Sequence, residues 1–158
     1  MAGVLNLTFR HDDLSGDAIR GLLREHLEHM IAITPRHSAH ALSVDALGAS
    51  DVTFWSAWDG EVLAGCGALR QLDASSGEVK SMRTASGYLR RGVAAAVLSH
   101  IIGVARGRGY EAICLETGAF PDFEPARALY RRFGFETCGP FGSYREDPNT
   151  VFMRLRLD

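Results

Sequence analysis

Residues 78–109 constrain the fold of this 158-residue chain more than any other segment. An extended run at 78–84 is followed by a short link, the string Leu-Arg-Arg-Gly-Val-Ala at 89–94 and a small-residue helix predicted over 91–108. The first turn of a helix leaves backbone N–H groups unpaired at the positive end of its dipole, so a pyrophosphate can bind there through main chain alone. The segment therefore predicts a strand, a phosphate-binding turn and a helix.

Length and composition exclude several classes of protein. With 46% apolar residues, the chain is expected to form one domain, spanning residues 1–158, around its own core. The net charge of −2 and the lack of a Lys/Arg block argue against nucleic acid as a partner. No apolar run reaches the roughly 20 residues that span a bilayer, and no signal-like segment opens the chain. A soluble cytoplasmic protein without a membrane partner is expected.

The three cysteines predict buried reduced thiols. Cys66, Cys114 and Cys138 are an odd number without Cys-x-x-Cys spacing, and the first two lie inside apolar, strand-like runs. A nucleophilic cysteine would need an activating histidine or helix N-terminus, which the local sequence does not supply.

The first third of the chain predicts a strand, a helix and an irregular link. Partial alternation at residues 4–10 indicates an opening strand. Ser15 or Asp17 is expected to cap an amphipathic helix that Pro35 ends. A polar, His-rich link then leads to a short segment near residues 44–47.

The strongest local pattern is a β-hairpin at residues 52–69. Asp59-Gly60 is a two-residue turn sequence between two apolar runs. The run at 78–84 is expected to pair antiparallel with the second hairpin strand. Residues 110–116 suit a strand parallel to that run, which would complete a βαβ unit around the phosphate-binding turn.

One more helix and two strands close the predicted order. Pro125 fits the first turn of a helix that Gly134 ends, and Phe135 begins the strand after it. Residues 150–157 supply the last strand. The resulting order is β-α-(α)-β-β-β-α-β-α-β-β.

Two motifs in this order resemble those of the GNAT acetyltransferase superfamily. Residues 89–94 are similar to its acetyl-CoA signature, Gln/Arg-x-x-Gly-x-Gly/Ala, with Leu89 departing at the first position. Residues 126–135 are similar to its Ala-x-x-x-Tyr-x-x-x-Gly-Phe helix and strand, with Phe123 where Asn is frequent. The resemblance covers nearly the whole chain. It implies an α/β (α+β) fold, with a mixed, mostly antiparallel sheet of about six to seven strands flanked by about four helices around a central βαβ acetyl-CoA site.

The resemblance also implies acetyl-CoA as co-substrate, and no metal. The cofactor would lie in an opening where the two parallel strands splay apart, with the N–H of Met82 near the thioester carbonyl. The side chains of Arg90 and Arg91 could pair with phosphates or be solvated cations on a loop. The implied cofactor-binding residues are Met82, Arg83, Thr84, Leu89, Arg90, Arg91, Gly92, Val93, Ala94 and Ala95.

Two side chains are candidates for proton transfer. Glu78 lies four residues before Met82, where histone-type members carry a base, and partial burial would make a carboxylate there a better base. The alternative is a carboxylate at the solvated end of a strand. Tyr130 aligns with the tyrosine that protonates the departing CoA thiolate in many relatives. The alternative for Tyr130 is an ordinary half-buried aromatic residue on an amphipathic helix.

Four histidines form two His-x-x-His pairs, His26 with His29 and His37 with His40. Residues at i and i+3 share a helix face, so a metal site is one interpretation. The superfamily needs no metal, and His-Glu-x-x-His is absent. Family architecture suggests instead that Arg36, His37 and His40 lie near the acceptor.

The expected activity is transfer of an acetyl group from acetyl-CoA to a primary amine of a small molecule or peptide, by direct attack in a ternary complex. Two other classes stay open. One is a CoA-binding sensor or interaction module without turnover, and the other is a structural domain that dimerises through the edge of its sheet. A homodimer is one possible assembly. The sequence singles out no particular acceptor.

Overall fold

A computed structural model describes residues 5–34 and 44–157 of the chain. The strands are β1 (Thr8–His11), β2 (Val52–Asp59), β3 (Val62–Asp73), β4 (Ser76–Thr84), β5 (Ala112–Gly118), β6 (Glu136–Cys138) and β7 (Thr150–Arg156). The helices are α1 (Asp17–Ile33), α2 (Val44–Leu47), α3 (Val93–Gly107) and α4 (Glu124–Arg132). The strands form one sheet in the order β1-β2-β3-β4-β5-β7-β6.

The predicted fold class and element order are confirmed. The sheet is antiparallel except where β4 pairs with β5, and α3 makes the crossover between those two strands. The helix prediction was slightly high. Within the described residues, α1, α3 and α4 have 17, 15 and 9 residues, whereas α2 is a single turn of four.

The β2–β3 hairpin is confirmed, with its turn one residue later than predicted. Asp59 pairs with Val62, so Gly60 and Glu61 form the two-residue loop. Gly60 has φ +62°, a left-handed conformation that glycine adopts without steric cost. Asp59 is therefore the last residue of β2 and not part of the turn.

The opening strand and helix begin differently from the predictions. β1 pairs with β2 only from Thr8 to His11, so the predicted start at residue 4 was too early. Gly16, and not Ser15 or Asp17, occupies the N-cap of α1. The Ser15 hydroxyl donates instead to the Asp13 carboxylate, at 2.6 Å between Oγ and Oδ1. The helix ends at Ile33, and Pro35 lies outside the described residues.

The later helices match the predictions closely. Pro125 lies in the first turn of α4, and Gly134 follows the helix with φ +98°. The long helix α3 begins at Val93, two residues later than predicted. The reason is that Gly92 takes φ +83°, which a right-handed helix does not contain.

Two hydrophobic cores lie on opposite faces of the sheet. Neighbouring residues of a strand point to opposite faces, and Phe54 belongs to one core while Trp55 belongs to the other. Helices α3 and α4 cover the Trp55 face, hereafter the α3 face, and α1 and α2 cover the Phe54 face, hereafter the α1 face. This separation gives the protein two sides from which a molecule can approach the centre of the sheet.

The cysteines are free thiols, as predicted. Cys66 and Cys114 are buried, and Cys138 is half-buried. Burial raises the pKa of Cys66 to about 12 and that of Cys114 to about 11, so neither is a reactive thiolate at neutral pH. Across residues 5–34 and 44–157, no helix has the length and apolarity that crossing a membrane requires.

Candidate active site

The parallel strands β4 and β5 separate at the centre of the sheet. They pair only from Ser76–Ala112 to Glu78–Cys114. Beyond that point β4 continues on β3 as far as Thr84, while β5 continues on β7 as far as Gly118. The opening predicted between these strands is therefore present.

A cleft of about 110 Å³ occupies this opening. It connects the two faces of the sheet, because α1 contributes one wall and α4 the other. Its lining residues are His26, Met30, Val79, Lys80, Ser81, Met82, Glu116, Thr117, Phe123, Ala126 and Tyr130. Two molecules entering from opposite faces would meet between β4 and β5.

A β-bulge in β4 shapes the edge of the cleft. Cys66 pairs with Arg83 and Ala68 with Lys80, so Ser81 and Met82 stand opposite the single residue Gly67. Ser81 takes φ +56°, and its carbonyl oxygen accepts a hydrogen bond from the Cys66 thiol at 3.3 Å. A bulge takes backbone groups out of the regular hydrogen-bonding pattern of two strands. The bulge in β4 lies beside the cleft, so main-chain groups at Met82 can contact a ligand there.

Tyr130 reaches the cleft from α4. The residue is buried, and its ring packs against Phe135 with centroids 5.7 Å apart. Burial, with a smaller effect from the Glu116 carboxylate, raises the pKa of Tyr130 to about 12. The phenol therefore holds its proton at neutral pH, as a general acid must.

Glu78 lies beneath the cleft on the α1 face, in a hydrogen-bonded cluster with Lys80 and Tyr144. Lys80 Nζ donates to Glu78 Oε2 at 3.2 Å and to the Tyr144 hydroxyl at 2.7 Å. That hydroxyl donates to Glu78 Oε2 at 2.6 Å. Glu78 is 1% exposed and Lys80 6% exposed. Glu78 therefore does not lie at a solvated strand end, which was the alternative interpretation from sequence.

The second oxygen of the Glu78 carboxylate, Oε1, has no hydrogen bond from the described residues of the kind that Oε2 makes. Glu78 Oε1 is buried and has no hydrogen-bond partner within the described part of the chain. A buried carboxylate oxygen without a partner is costly, so it favours any donor that can reach it. Oε2 is fixed by the protein and Oε1 is the oxygen available to accept a proton.

The predicted phosphate-binding turn connects β4 to α3. Arg90 takes φ +60° and Gly92 φ +83°, and Gly92 is the N-cap of α3. In the described structure no side chain caps this helix end, so the first N–H groups of α3 are available to a ligand. Val93 is buried, whereas Ala94 and Ala95 are half-buried.

The side chains of the turn point away from the interior. Leu89 is 58% exposed, Arg90 is exposed, and the Arg91 guanidinium lies 4.8 Å from the centre of the Tyr88 ring. Tyr88 in turn donates its hydroxyl to Asp59 at 2.7 Å. Because the N–H groups belong to the main chain, a leucine at position 89 leaves this helix end unchanged.

The family follows from a comparison of the whole sequence. The model of the acetyltransferase (GNAT) family matches residues 19–135, which include β4, α3, β5 and α4. The chain belongs to the GNAT family. It is an enzyme of the acyltransferase class.

Relatives of this GNAT protein match over nearly the full length. The uncharacterized N-acetyltransferase YsnE of Bacillus subtilis is 54% identical over 146 residues, covering 92% of this chain and 97% of YsnE. The uncharacterized N-acetyltransferase YedL of Escherichia coli is 47% identical over 150 residues, covering 95% of this chain and 94% of YedL.

Solved structures share the fold. The PaiA N-acetyltransferase of Thermoplasma acidophilum, in complex with coenzyme A, superposes with a TM-score of 0.76 at 14% identity, covering 96% of this chain and 99% of that one. At 14% sequence identity, this similarity shows a shared fold and nothing more.

The structure places three further residues at this GNAT site, and no sequence motif had indicated them. Lys80 and Glu116 line the cleft, and Tyr144 completes the cluster with Glu78. Lys80 had a signal in the sequence, because a lysine two residues after Glu78 shares its strand face. Glu116 lay at the end of a predicted strand. Tyr144 had no local signal, because it is 66 positions from Glu78 and meets it only in the folded chain.

The histidines divide between cleft and surface. His26 lines the cleft, whereas His29 is exposed on α1. His37, His40 and Arg36 lie outside the described residues. In the part of the chain that the structure describes, no three His, Cys, Asp or Glu residues are grouped as metal ligands.

Proposed function

We propose that this GNAT protein, a single domain over residues 1–158, transfers an acetyl group from acetyl-CoA to a primary amine of a small molecule or peptide. The transfer takes place by direct attack in a ternary complex. The observation that carries the proposal is the cleft between β4 and β5, because residues of α4 on one face of the sheet and of α1 on the other both line it. Acetyl-CoA would enter from the α3 face and the amine from the α1 face.

The chain offers acetyl-CoA a continuous set of main-chain contacts. The uncapped N-terminus of α3 suits the pyrophosphate, with the N–H groups of residues 92–95 as donors. The end of β4, from Met82 to Thr84, would hold the amides of the pantetheine arm. When bound, acetyl-CoA supplies the activated acetyl group as a thioester.

Groups in and beneath the cleft have complementary roles in this proposal. The N–H of Met82, which lies in the bulge, stabilises the negative charge that develops on the carbonyl oxygen. Glu78 accepts the proton from the attacking amine at Oε1, while Lys80 and Tyr144 hold Oε2. Tyr130 donates its proton to the departing thiolate.

Glu116 is a second carboxylate in reach of the acceptor. It lines the cleft and lies near enough to Tyr130 to affect the pKa of that phenol. In this proposal Glu116 attracts the ammonium form of the acceptor and Glu78 removes the proton. Orientation of amine and thioester in one cleft supplies much of the rate.

Titration of the protein with acetyl-CoA by calorimetry, followed by release of free CoA thiol against a panel of amines, tests the function. Binding with amine-dependent thiol release supports it. Binding without release from any amine would favour a CoA-binding sensor with the same fold. Absence of binding would overturn the cofactor site.

A further inference from the structure

Three nitrogen groups on the α1 side of the sheet have hydrogen-bonding capacity that the described protein does not use. They belong to Lys80, His26 and Arg83. The large majority of buried polar groups in folded proteins have a hydrogen-bond partner, supplied by protein, water or ligand. Unpartnered polar groups beside a substrate cleft therefore indicate which chemical groups a bound substrate carries.

Lys80 is the best defined of the three. Its ammonium has three N–H donors, of which Tyr144 and Glu78 accept two. The third has no acceptor among residues 5–34 and 44–157, although Lys80 is 6% exposed and lines the cleft. The Glu78 pair holds the ammonium in place, so a ligand would meet a fixed donor and not a mobile surface lysine.

His26 and Arg83 extend this donor set towards α1. His26 Nδ1 and Arg83 Nε are both buried and lack partners in the described structure. The two residues are close, because the Arg83 charge is one cause of the lowered pKa of His26. Arg83 forms no salt bridge with the described residues, whereas Lys80 is paired with Glu78.

We propose that the acceptor is an amine that also carries a carboxylate, of the α-amino acid class, with its carboxylate bound by Lys80 and His26 under the positive charge of Arg83. This inference rests on the proposed function. A carboxylate has two oxygens and about four acceptor positions, which suit the third N–H of Lys80 and a neutral His26 that carries its proton on Nδ1. Glu78 and Glu116 lie on the same face as Lys80 and would face the ammonium end of the same molecule.

The rest of the cleft narrows the class further. Met30 of α1 and Phe123 give the lining an apolar part. Such a lining suits an apolar side chain on the acceptor. Free methionine and leucine are therefore the first acceptors to test.

The test compares three forms of each acceptor with the wild-type protein. L-Methionine and L-leucine are each assayed beside the corresponding amino acid amide and the decarboxylated amine, with acetyl-CoA saturating. The three forms share the side chain and the amine, so they differ only in the carboxylate. Rates are compared per concentration of neutral amine, because the carboxylate changes the basicity of the amine.

We expect kcat/KM for the free acid to exceed that for the amide and the amine by at least tenfold. Lys80→Gln is expected to raise KM for the acid by about 10- to 100-fold, the range of one charge-assisted hydrogen bond, with smaller changes for the amide. Lys80→Arg should restore part of the preference. Arg24→Gln, which removes an exposed cation from α1, is the matched control and should leave the preference unchanged.

The outcomes separate this inference from the proposed function. Acetylation of amides or decarboxylated amines as efficiently as the free acids would overturn the carboxylate site and leave the acetyltransferase intact. Thiol release from these amines with none from the acids would do the same. Failure to bind acetyl-CoA would overturn the proposed function itself. If Lys80→Gln does not fold, shown by loss of its thermal transition, the wild-type comparison alone decides.

Discussion

Lys80 and Tyr144 are joined by a hydrogen bond of 2.7 Å across 64 positions of the chain. The bond fixes the loop between β6 and β7 onto β4, directly beneath the cleft. The Tyr144 hydroxyl accepts from Lys80 and donates to Glu78, so one oxygen links a buried cation to a buried anion. The geometry of the proposed base therefore depends on a residue far away in sequence.

Tyr144→Phe removes this link while keeping the ring. We expect it to lower the free energy of unfolding by about 1–3 kcal/mol, because two buried charged groups each lose a hydrogen-bond partner. Urea unfolding measures the change. Tyr110→Phe is the matched control, since Tyr110 is also buried but its hydroxyl makes no hydrogen bond within the described residues. Equal losses in the two variants would contradict the role of the cluster.

Tyr130→Phe tests the proposed general acid. The Tyr130 phenol is protonated at neutral pH, since its pKa is about 12. Its removal is expected to lower kcat by roughly 100-fold, at the low end of the range for general acid catalysis, with little change in the KM for acetyl-CoA. Steady-state kinetics on the best acceptor checks this. A kcat within twofold of wild type would assign Tyr130 a packing role only.

Matched amide variants distinguish the proposed roles of the Glu78 and Glu116 carboxylates. Glu78→Gln is expected to lower kcat by about 10²–10⁴-fold, because no proton acceptor remains at Oε1. Glu116→Gln is expected to raise the KM for the amine with a smaller effect on kcat. Kinetics across pH, with unfolding curves for both variants, makes the comparison. The reverse pattern would make Glu116 the base.

Gly92→Glu places bulk and negative charge where the pyrophosphate is proposed to bind. We expect at least a 100-fold loss of CoA affinity by calorimetry. The substitution also costs about 1–2 kcal/mol of stability, because Gly92 has φ +83°. Gly109→Glu is the matched control at the other end of α3, with φ +78° and open space around the added side chain. It should show the same strain and normal CoA binding, and an equal affinity loss would contradict the phosphate site.

The free energy of unfolding is expected to fall as the pH is lowered from 6.5 towards 4, and His26 is the residue responsible. Burial, with smaller effects from Arg83 and His29, lowers the pKa of His26 from 6.5 to about 4. The unfolded chain therefore takes up a proton in this range before the folded chain does, so the free energy of unfolding declines as pH falls and is fully present above pH 6.5.

Comparison of variants isolates this contribution from that of other groups. His26→Gln should flatten the pH dependence of the unfolding free energy between pH 4 and pH 6.5, by up to about 1.4 kcal/mol per pH unit. His29→Gln, on the exposed face of the same helix, should leave it unchanged. An unchanged slope in the His26 variant would show that this imidazole titrates normally.

The local parts of the fold were predictable because each depends on residues close together in sequence. The hairpin followed from a two-residue turn between apolar runs, and the turn before α3 followed from a glycine before a small-residue helix. Even there, the boundary residues shifted by one or two positions. Gly60 and Gly92 adopt left-handed conformations that end one element and begin the next, and a pattern of apolar residues does not specify that position.

The sequence by itself determined the family, the order of elements and the two candidates for proton transfer. The tertiary structure decided which side chains meet in the cleft. Glu78 contacts Lys80 and Tyr144, and Glu116 lines the cleft together with Tyr130. These contacts form because β4 and β5 separate after Glu78 and because the β6–β7 loop folds back onto β4. Strand register and long-range packing set these contacts, and neither can be predicted from the residues that flank each side chain.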